Sequence, residues 1–176
     1  MFVIATLHRS SLFILFLASA LRSREIIVTM AFLLKMVSVS TMVVGFLAIF
    51  FQTCELIVFR SANNGFKEPD VVSAGIWGGF FLVLFSLLLL NNRLRDTLAI
   101  QGLAVYGILV GITIIGLYSW SVSRYQSAIP NCGNINISNV TLCGRVALDS
   151  LLIFCGILAV GLNAATTILA STFTLD

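Results

Sequence analysis

Residues Leu98–Trp120 read LAIQGLAVYGILVGITIIGLYSW and include no charged side chain. About 20 apolar residues are enough for a helix to cross a hydrocarbon core roughly 30 Å thick. Three more stretches meet this length test, at Met36–Ile57, Val71–Leu90 and Val146–Ala170. Backbone amides in lipid must be hydrogen-bonded within their own segment, so each stretch is expected to be helical. The sequence predicts an all-α, polytopic membrane protein whose fold is a four-helix transmembrane bundle.

The composition of the whole chain agrees with a membrane location. Of its 176 residues, 59% are hydrophobic and only 10% are charged, whereas a soluble domain carries about 25% charged residues. Too little polar surface is left to face water, so the lipid bilayer is expected to solvate much of the chain. The net charge of +3 is small, and no basic run interleaved with exposed aromatic residues indicates nucleic-acid binding.

The residues before the first predicted span form a segment of their own. Its apolar run, Leu12–Ala20, is too short to cross the bilayer and ends in an Ala-Ser-Ala tripeptide that resembles a signal-peptidase site. We interpret residues 1–35 as an uncleaved cytosolic segment, with the membrane interface as its expected location. Two alternatives stay open, namely cleavage after this tripeptide and translation that starts at Met30.

The longest predicted loop, residues 121–145, indicates the orientation. It contains two N-glycosylation sequons, which begin at Asn136 and Asn139. Because the oligosaccharide is added in the lumen of the endoplasmic reticulum, a used sequon faces the lumen and then the cell exterior. Two arginines in the turn between the second and third spans favour the cytosol for that turn. The N-terminus and the tail at 171–176 are then expected to be cytosolic. The protein itself is expected in the plasma membrane or an endomembrane.

The cysteine positions point to the same orientation. Cys132 and Cys143 bracket both sequons, and disulfides persist in oxidising compartments. We predict a bridge between these two cysteines, with a pair of free thiols as the alternative. Cys54 and Cys155 lie within predicted spans and are expected to be packing residues.

Small residues recur at four-residue intervals in three of the predicted spans. Without large side chains at this spacing, helix backbones approach closely and gain van der Waals contact. The residues predicted to pack in this way are Gly75, Gly79, Gly107, Gly111, Gly161 and Ala165. They predict a tightly packed bundle, and any small-residue face left over is available for an oligomer.

Glu55 and Asp149 are the only acidic residues inside the predicted spans. Both fall near the outer ends of their helices, where intramembrane carboxylates often line an ion path. The alternative is structural, because Arg145 precedes Asp149 by one helical turn and Glu55 can reach up to the headgroups. Gln101 and Asn163 are expected to join helices through amide hydrogen bonds.

The chain offers few residues for catalysis inside the bundle. His8 is its only histidine and lies in the N-terminal segment, so no histidine-based metal site or triad is expected among the spans. Paired acids of the kind used in proton transfer are limited to Glu55 and Asp149. We therefore expect a protein that is not an enzyme and has no cofactor.

The second predicted span opens with Ser73–Gly79, which reads Ser-Ala-Gly-Ile-Trp-Gly-Gly. This segment resembles the start of the second span in the membrane-spanning four-domains subfamily A, the family of the B-lymphocyte antigen B1. The similarity extends over about Met36–Ala170, but the long polar cytosolic tails typical of the family are missing. The resemblance implies a non-enzymatic surface protein that oligomerises and modulates receptors or calcium entry, while the missing tails argue against signalling through them.

Three functions fit the sequence. The leading interpretation is a membrane protein that assembles with itself or with membrane receptors and modulates signalling or trafficking. A cation channel or transporter subunit is the first alternative, motivated by Glu55 and Asp149. A membrane-apposition or trafficking protein of the physin and occludin kind shares the four-span topology and is the second alternative.

Overall fold

The computed structural model describes residues 29–57, 73–91, 94, 96–125 and 137–172. Within these ranges, the chain forms four α-helices and no β-strand. The helices are α1 (Thr29–Ile57), α2 (Ala74–Leu90), α3 (Thr97–Tyr125) and α4 (Ile137–Thr172). The all-α helical fold predicted from the apolar stretches is therefore confirmed.

The chain divides into two compact units, Met1–Met36 and Val37–Asp176. In the first unit, the described residues 29–36 are the N-terminal turns of α1. The rest of α1 and the other three helices belong to the second unit. The second unit contains the hydrophobic core and every residue of the candidate site described below.

Among the described residues, three segments are long and apolar enough to cross a membrane, namely Thr29–Ile57, Thr97–Arg124 and Cys143–Ser171. The helix α2 is apolar but has only 17 residues, about 26 Å at 1.5 Å per residue. This length falls short of a hydrocarbon core roughly 30 Å thick. The chain is thus a helical membrane protein, and a fourth crossing by α2 stays a prediction.

The helices extend beyond the spans predicted for them. α4 begins at Ile137 and α3 ends at Tyr125, so both helices extend into the segment 121–145 that was predicted to connect the third and fourth spans. α1 begins at Thr29, inside the segment that was predicted to precede the bundle. Hydropathy marks the part of a helix that lipid surrounds, whereas helical hydrogen bonding continues into the more polar flanks.

Local interactions set the ends of α2 and α3. The carboxylate of Asp96 accepts a hydrogen bond from the backbone N–H of Leu98 at 3.1 Å, the usual role of an aspartate before a first helical turn. Ser73 precedes α2 with a left-handed backbone, at a φ of 47°. At the other end of α2, the N–H of Asn91 donates to the carbonyl oxygen of Leu87 at 3.0 Å.

Glycines bring neighbouring helices into backbone contact. A β-carbon placed on Gly79 of α2 would lie 2.5 Å from the carbonyl oxygen of Gly45 in α1. α3 and α4 meet in the same manner, because a β-carbon on Gly111 would lie 2.9 Å from the carbonyl oxygen of Gly156. Each pair touches where neither residue has a side chain, which is the close approach that small residues permit in membranes.

The buried interior changes from polar to apolar and back along the helices. We call the end where α1 and α3 finish the upper end, and the end where α3 begins the lower end. The middle is apolar and is called the apolar tier; it contains Val44, Ala48, Leu82, Val110, Ile114, Leu152, Cys155 and Ala159. Buried polar side chains lie above and below this tier. The upper group forms the candidate functional site.

Candidate functional site

Two side chains of α1 begin the site. Gln52 and Glu55 are separated by about one helical turn and therefore point to the same side of α1. The amide nitrogen of Gln52 donates a hydrogen bond to Oε2 of Glu55 at 3.1 Å. Both side chains are fully buried, so protein groups rather than bulk water surround this carboxylate.

α4 brings a second pair, Arg145 and Asp149, to the same level. The Nε atom of Arg145 lies 3.7 Å from Oε1 of Glu55 and 4.0 Å from Oδ2 of Asp149. Arg145 is therefore an ion-pair partner of one carboxylate on its own helix and of another on α1. The attraction between such charges is strong in a low-dielectric interior, but it must offset the cost of removing the ions from water.

α3 supplies two hydroxyl groups that close the site. The Tyr118 hydroxyl donates to Oε1 of Gln52, and the Ser121 hydroxyl donates to Oδ2 of Asp149 at 2.7 Å. Polar contacts thus run from α3 to α1, from α1 to α4, and from α4 back to α3. We call this set the polar ring; its members are Gln52, Glu55, Tyr118, Ser121, Arg145 and Asp149.

α2 contacts the polar ring through its backbone. The N–H group of Gly75 donates to Oε1 of Gln52 at 3.4 Å. N–H groups in the first turn of a helix have no partner within that helix, so Gln52 satisfies one of them. A β-carbon on Gly75 would lie 3.0 Å from Cβ and Oε1 of Gln52, and a larger residue there would push Gln52 away. All four helices therefore take part in the site.

The polar ring is sealed from solvent and lies at one end of the bundle. None of its six side chains is more than 1% exposed. Along α4, Asp149 is about 32 Å from Ala170 at 1.5 Å per residue, and Ala170 belongs to an apolar cluster at the lower end. This distance is close to the thickness of a hydrocarbon core. A bundle that crosses the bilayer therefore holds the ring near one membrane surface.

The two acidic residues singled out from the sequence meet in this ring. Asp149 forms an ion pair with Arg145, one turn earlier on the same helix. This is the structural role that the sequence offered as the alternative to an ion path. The expectation that Glu55 reaches the headgroups was wrong, because its side chain is fully buried and lies beside Arg145. The structure thus joins both carboxylates to one guanidinium, which the sequence predicted for only one of them.

Three ring residues, Gln52, Tyr118 and Ser121, were missed from the sequence. A signal for them was present, because Gln52 precedes Glu55 by three residues and Tyr118 precedes Ser121 by the same interval. This spacing puts both members of each pair on one side of a helix. Two polar residues on one side of an otherwise apolar helix indicate a side that faces protein instead of lipid.

The small residues predicted to pack helices do not all lie against a neighbour. Gly107 accommodates Asn163, since a β-carbon on Gly107 would lie 2.5 Å from its Oδ1 atom. A β-carbon on Gly161, by contrast, would meet no atom of the described residues within 4 Å, and Ala165 is only half-buried. Gly161 lies on an exposed side of α4, so its packing against a helix stays a prediction for a contact outside a single copy.

Asn163 was expected to hydrogen-bond across to another helix. Its amide nitrogen instead donates to the carbonyl oxygen of Ala159 at 2.7 Å, in its own helix. Its Oδ1 atom is buried and has no hydrogen-bond partner in the part of the chain that the structure describes. Asn163 therefore contacts Gly107 of α3 through van der Waals packing. The predicted inter-helix hydrogen bond of Asn163 is not formed among the described residues.

The three cysteines that the structure describes fall into different environments. Cys143 lies in α4 and is disulfide-bonded, whereas Cys54 and Cys155 are free thiols. Cys155 belongs to the apolar tier, in agreement with a packing role. Cys132 lies outside the described residues, so the pairing of Cys132 with Cys143 stays a prediction.

The asparagines of the two sequons lie on either side of the start of α4. Asn136 is outside the described residues, and Asn139 lies in the first turn of α4. Glycosylation at either asparagine stays a prediction. Within the described part of the chain, no group of three or more His, Cys, Asp or Glu side chains is arranged to hold a metal ion.

Comparison of the chain with protein-family models, curated proteins and solved structures finds no match. The resemblance carried by Ser73–Gly79 therefore stays a prediction.

Proposed function

We propose that this chain is a non-enzymatic membrane protein that assembles with a second copy of itself or with membrane receptors, and modulates signalling or trafficking through that assembly. The observation that carries the proposal is the position of three glycines, Gly102 and Gly116 in α3 and Gly161 in α4. Each lies on an exposed side of its helix, and a β-carbon on any of them would meet no atom within 4 Å among the described residues.

These outward glycines pack against no described residue in a single copy of the bundle. A glycine in a helix is about 1 kcal/mol less favourable than an alanine, so its presence at an exposed site calls for a compensating contact. In a membrane, glycine leaves a shallow groove in which a second helix packs closely. Ser119 and Ser123 are exposed on the same side of α3 as Gly116, and they continue this groove of small residues. The face therefore suits a helix of another protein chain.

The resemblance of Ser73–Gly79 to the membrane-spanning four-domains subfamily A supports the same proposal. It implies a surface protein that oligomerises and modulates receptors. The polar ring fits this role as well, because it uses ionisable groups to join the four helices of one copy. The outward apolar faces are then left for lipid and for partner helices.

Replacing Gly116 by leucine fills the groove and is expected to weaken self-association. We expect the dissociation constant of the dimer to rise about tenfold, which corresponds to about 1.4 kcal/mol. Fluorescence energy transfer between labelled copies in lipid vesicles measures this change. Ile112→Leu is the matched control, because Ile112 is exposed on the same side of α3 and the substitution conserves volume. If both variants associate equally well, this face is not the contact.

The proposed topology puts the loop before α4 and the first turns of α4 in the lumen or outside the cell, with both termini in the cytosol. The sequons at Asn136 and Asn139 and the cysteines on either side of them support this orientation. Glycosidase treatment of protein from a eukaryotic host is expected to lower its apparent mass, and Asn136→Gln with Asn139→Gln should abolish that shift. Absence of the shift, together with labelling of this loop from the cytosol, would contradict the topology.

A further inference from the structure

The shortest helix, α2, joins the two ends of the bundle. At its upper end, the backbone N–H of Gly75 donates to Gln52 of the polar ring at 3.4 Å. At its lower end, Phe85 and Leu89 belong to an apolar cluster that includes Ile100, near the start of α3. α2 therefore extends from the polar ring to the lower end of the bundle.

The length of α2 is limited at both ends. Ser73 has a left-handed backbone, with a φ of 47°, which does not continue a right-handed helix. After Leu90, the exposed residue Asn91 closes the last turn with its backbone N–H, which donates to Leu87 at 3.0 Å. The helix thus has 17 residues, about 26 Å at 1.5 Å per residue.

Ionisable side chains bracket the same length. Glu55, which bonds to Gln52, holds the upper end of α2 beside Arg145 and Asp149. Below α2, the exposed carboxylate of Asp96 caps the first turn of α3. Ionisable groups are costly inside the hydrocarbon layer, so both levels are expected at its surfaces. The layer between them is then about as thick as α2 is long.

The outward side of α2 is apolar along this length. Its exposed side chains, between 39% and 59% accessible, are Trp77, Phe80, Leu84, Leu87 and Leu88. A helix longer than the hydrocarbon layer, such as α3 or α4, adapts by tilting, whereas a shorter helix requires the bilayer to become thinner. Among the four helices, α2 therefore limits the thickness of bilayer that the bundle accepts.

We propose that the lipid-facing surface of the bundle fits a thin bilayer, with a hydrocarbon core of about 26 Å set by the length of α2. The core of the endoplasmic reticulum membrane is about 27 Å thick, and that of the sterol-rich plasma membrane is about 32–33 Å. Of the two expected locations, this surface favours an endomembrane over the plasma membrane. The inference does not depend on assembly through Gly116.

The test changes the thickness of the bilayer around the full chain. The protein is placed in phosphatidylcholine vesicles with oleoyl, eicosenoyl or erucoyl chains, in order of increasing length, and circular dichroism follows its melting temperature. We expect the highest melting temperature in oleoyl vesicles and a value about 2–4 °C lower in erucoyl vesicles. Equal melting temperatures, or a maximum in eicosenoyl or erucoyl vesicles, would overturn the proposal.

A longer α2 tests whether this helix sets the thickness. Four leucines inserted after Leu90 extend α2 by about 6 Å at 1.5 Å per residue. The matched control is Gly-Ser-Gly-Ser at the same place, which lengthens the connection to α3 as a flexible linker. We expect the leucine variant to melt highest in erucoyl vesicles and the control in oleoyl vesicles. The same maximum for both variants would also overturn the proposal, and if the leucine variant does not fold, the unaltered protein decides alone.

Discussion

The Nε atom of Arg145 lies 3.7 Å from Oε1 of Glu55, and both side chains are buried in the bundle. The contact joins the last helix to the first, so it closes the bundle between segments that are distant in sequence. Removing one partner of a buried ion pair costs about 3–5 kcal/mol, because the other charge is left uncompensated. The packing of α1 on α4 therefore depends on both residues.

Tyr118→Phe tests the contact between α3 and α1. The substitution removes the hydroxyl that donates to Gln52, and we expect the free energy of unfolding in mild detergent to fall by about 1 kcal/mol. Tyr106→Phe is the control, because Tyr106 is exposed and its ring contacts Phe81. Thermal unfolding followed by circular dichroism compares the two variants. Equal melting temperatures for the two variants would show that the Tyr118 hydroxyl does not stabilise the polar ring.

Two amide-to-leucine substitutions compare how much the buried amides of Gln52 and Asn163 contribute to stability. Gln52→Leu removes the groups that bond to Glu55, Tyr118 and the backbone of Gly75, and should lower the free energy of unfolding by about 1–3 kcal/mol. Asn163→Leu removes an acceptor that has no partner among the described residues, so its stability should equal or exceed that of the unaltered protein. A loss as large as that of Gln52→Leu would mean that Asn163 holds helices together after all.

Gly79→Ala tests the crossing of α1 and α2. The added methyl group would meet the carbonyl oxygen of Gly45 at 2.5 Å, and forcing the helices apart should cost about 1–3 kcal/mol. Gly116→Ala is the control, because a β-carbon there meets no described residue within 4 Å and alanine favours the helix by about 1 kcal/mol. Melting temperatures should move in opposite directions. A Gly79→Ala protein as stable as the control would place Gly79 away from α1.

The helices could be predicted from sequence because lipid demands long apolar segments, and Leu98–Trp120 lies wholly within α3. Their ends could not be predicted as well. α4 begins at Ile137, in a more polar segment where hydropathy gives no signal. The length of an apolar segment does not show how far the helix continues beyond the lipid.

The contacts between helices were harder to predict, for a different reason. A helix that is apolar on every side has almost no amphipathic pattern, so its sequence does not show which side faces a neighbour. Gly45 illustrates this, because it has no glycine or alanine four residues away and yet it touches Gly79. The hydrogen bond between Tyr118 and Gln52 likewise depends on how α1 and α3 are rotated about their own axes. Only the assembled bundle determines these rotations.

The pairing of Cys132 with Cys143 is a prediction from the sequence that peptide mapping can test. Under non-reducing conditions we expect one intramolecular link between these two cysteines, while Cys54 and Cys155 react with a thiol reagent after denaturation, as free thiols do. Closing a loop of this size should stabilise the protein by about 2–4 kcal/mol. A link from Cys143 to another chain, or free thiols at both Cys132 and Cys143 in quenched cells, would contradict the pairing.

Glu55 and Arg145 are expected to stabilise each other inside one bundle, and a double-mutant cycle measures their coupling free energy. Glu55→Gln, Arg145→Gln and the double variant are unfolded in the same detergent. A second cycle, as the control, combines Arg145→Gln with Asp96→Asn. Asp96 caps α3 at the lower end of the bundle. We expect a coupling free energy of at least about 1 kcal/mol for Glu55 with Arg145, and additivity within about 0.5 kcal/mol for Arg145 with the distant Asp96. Additive effects in both cycles would contradict this expectation.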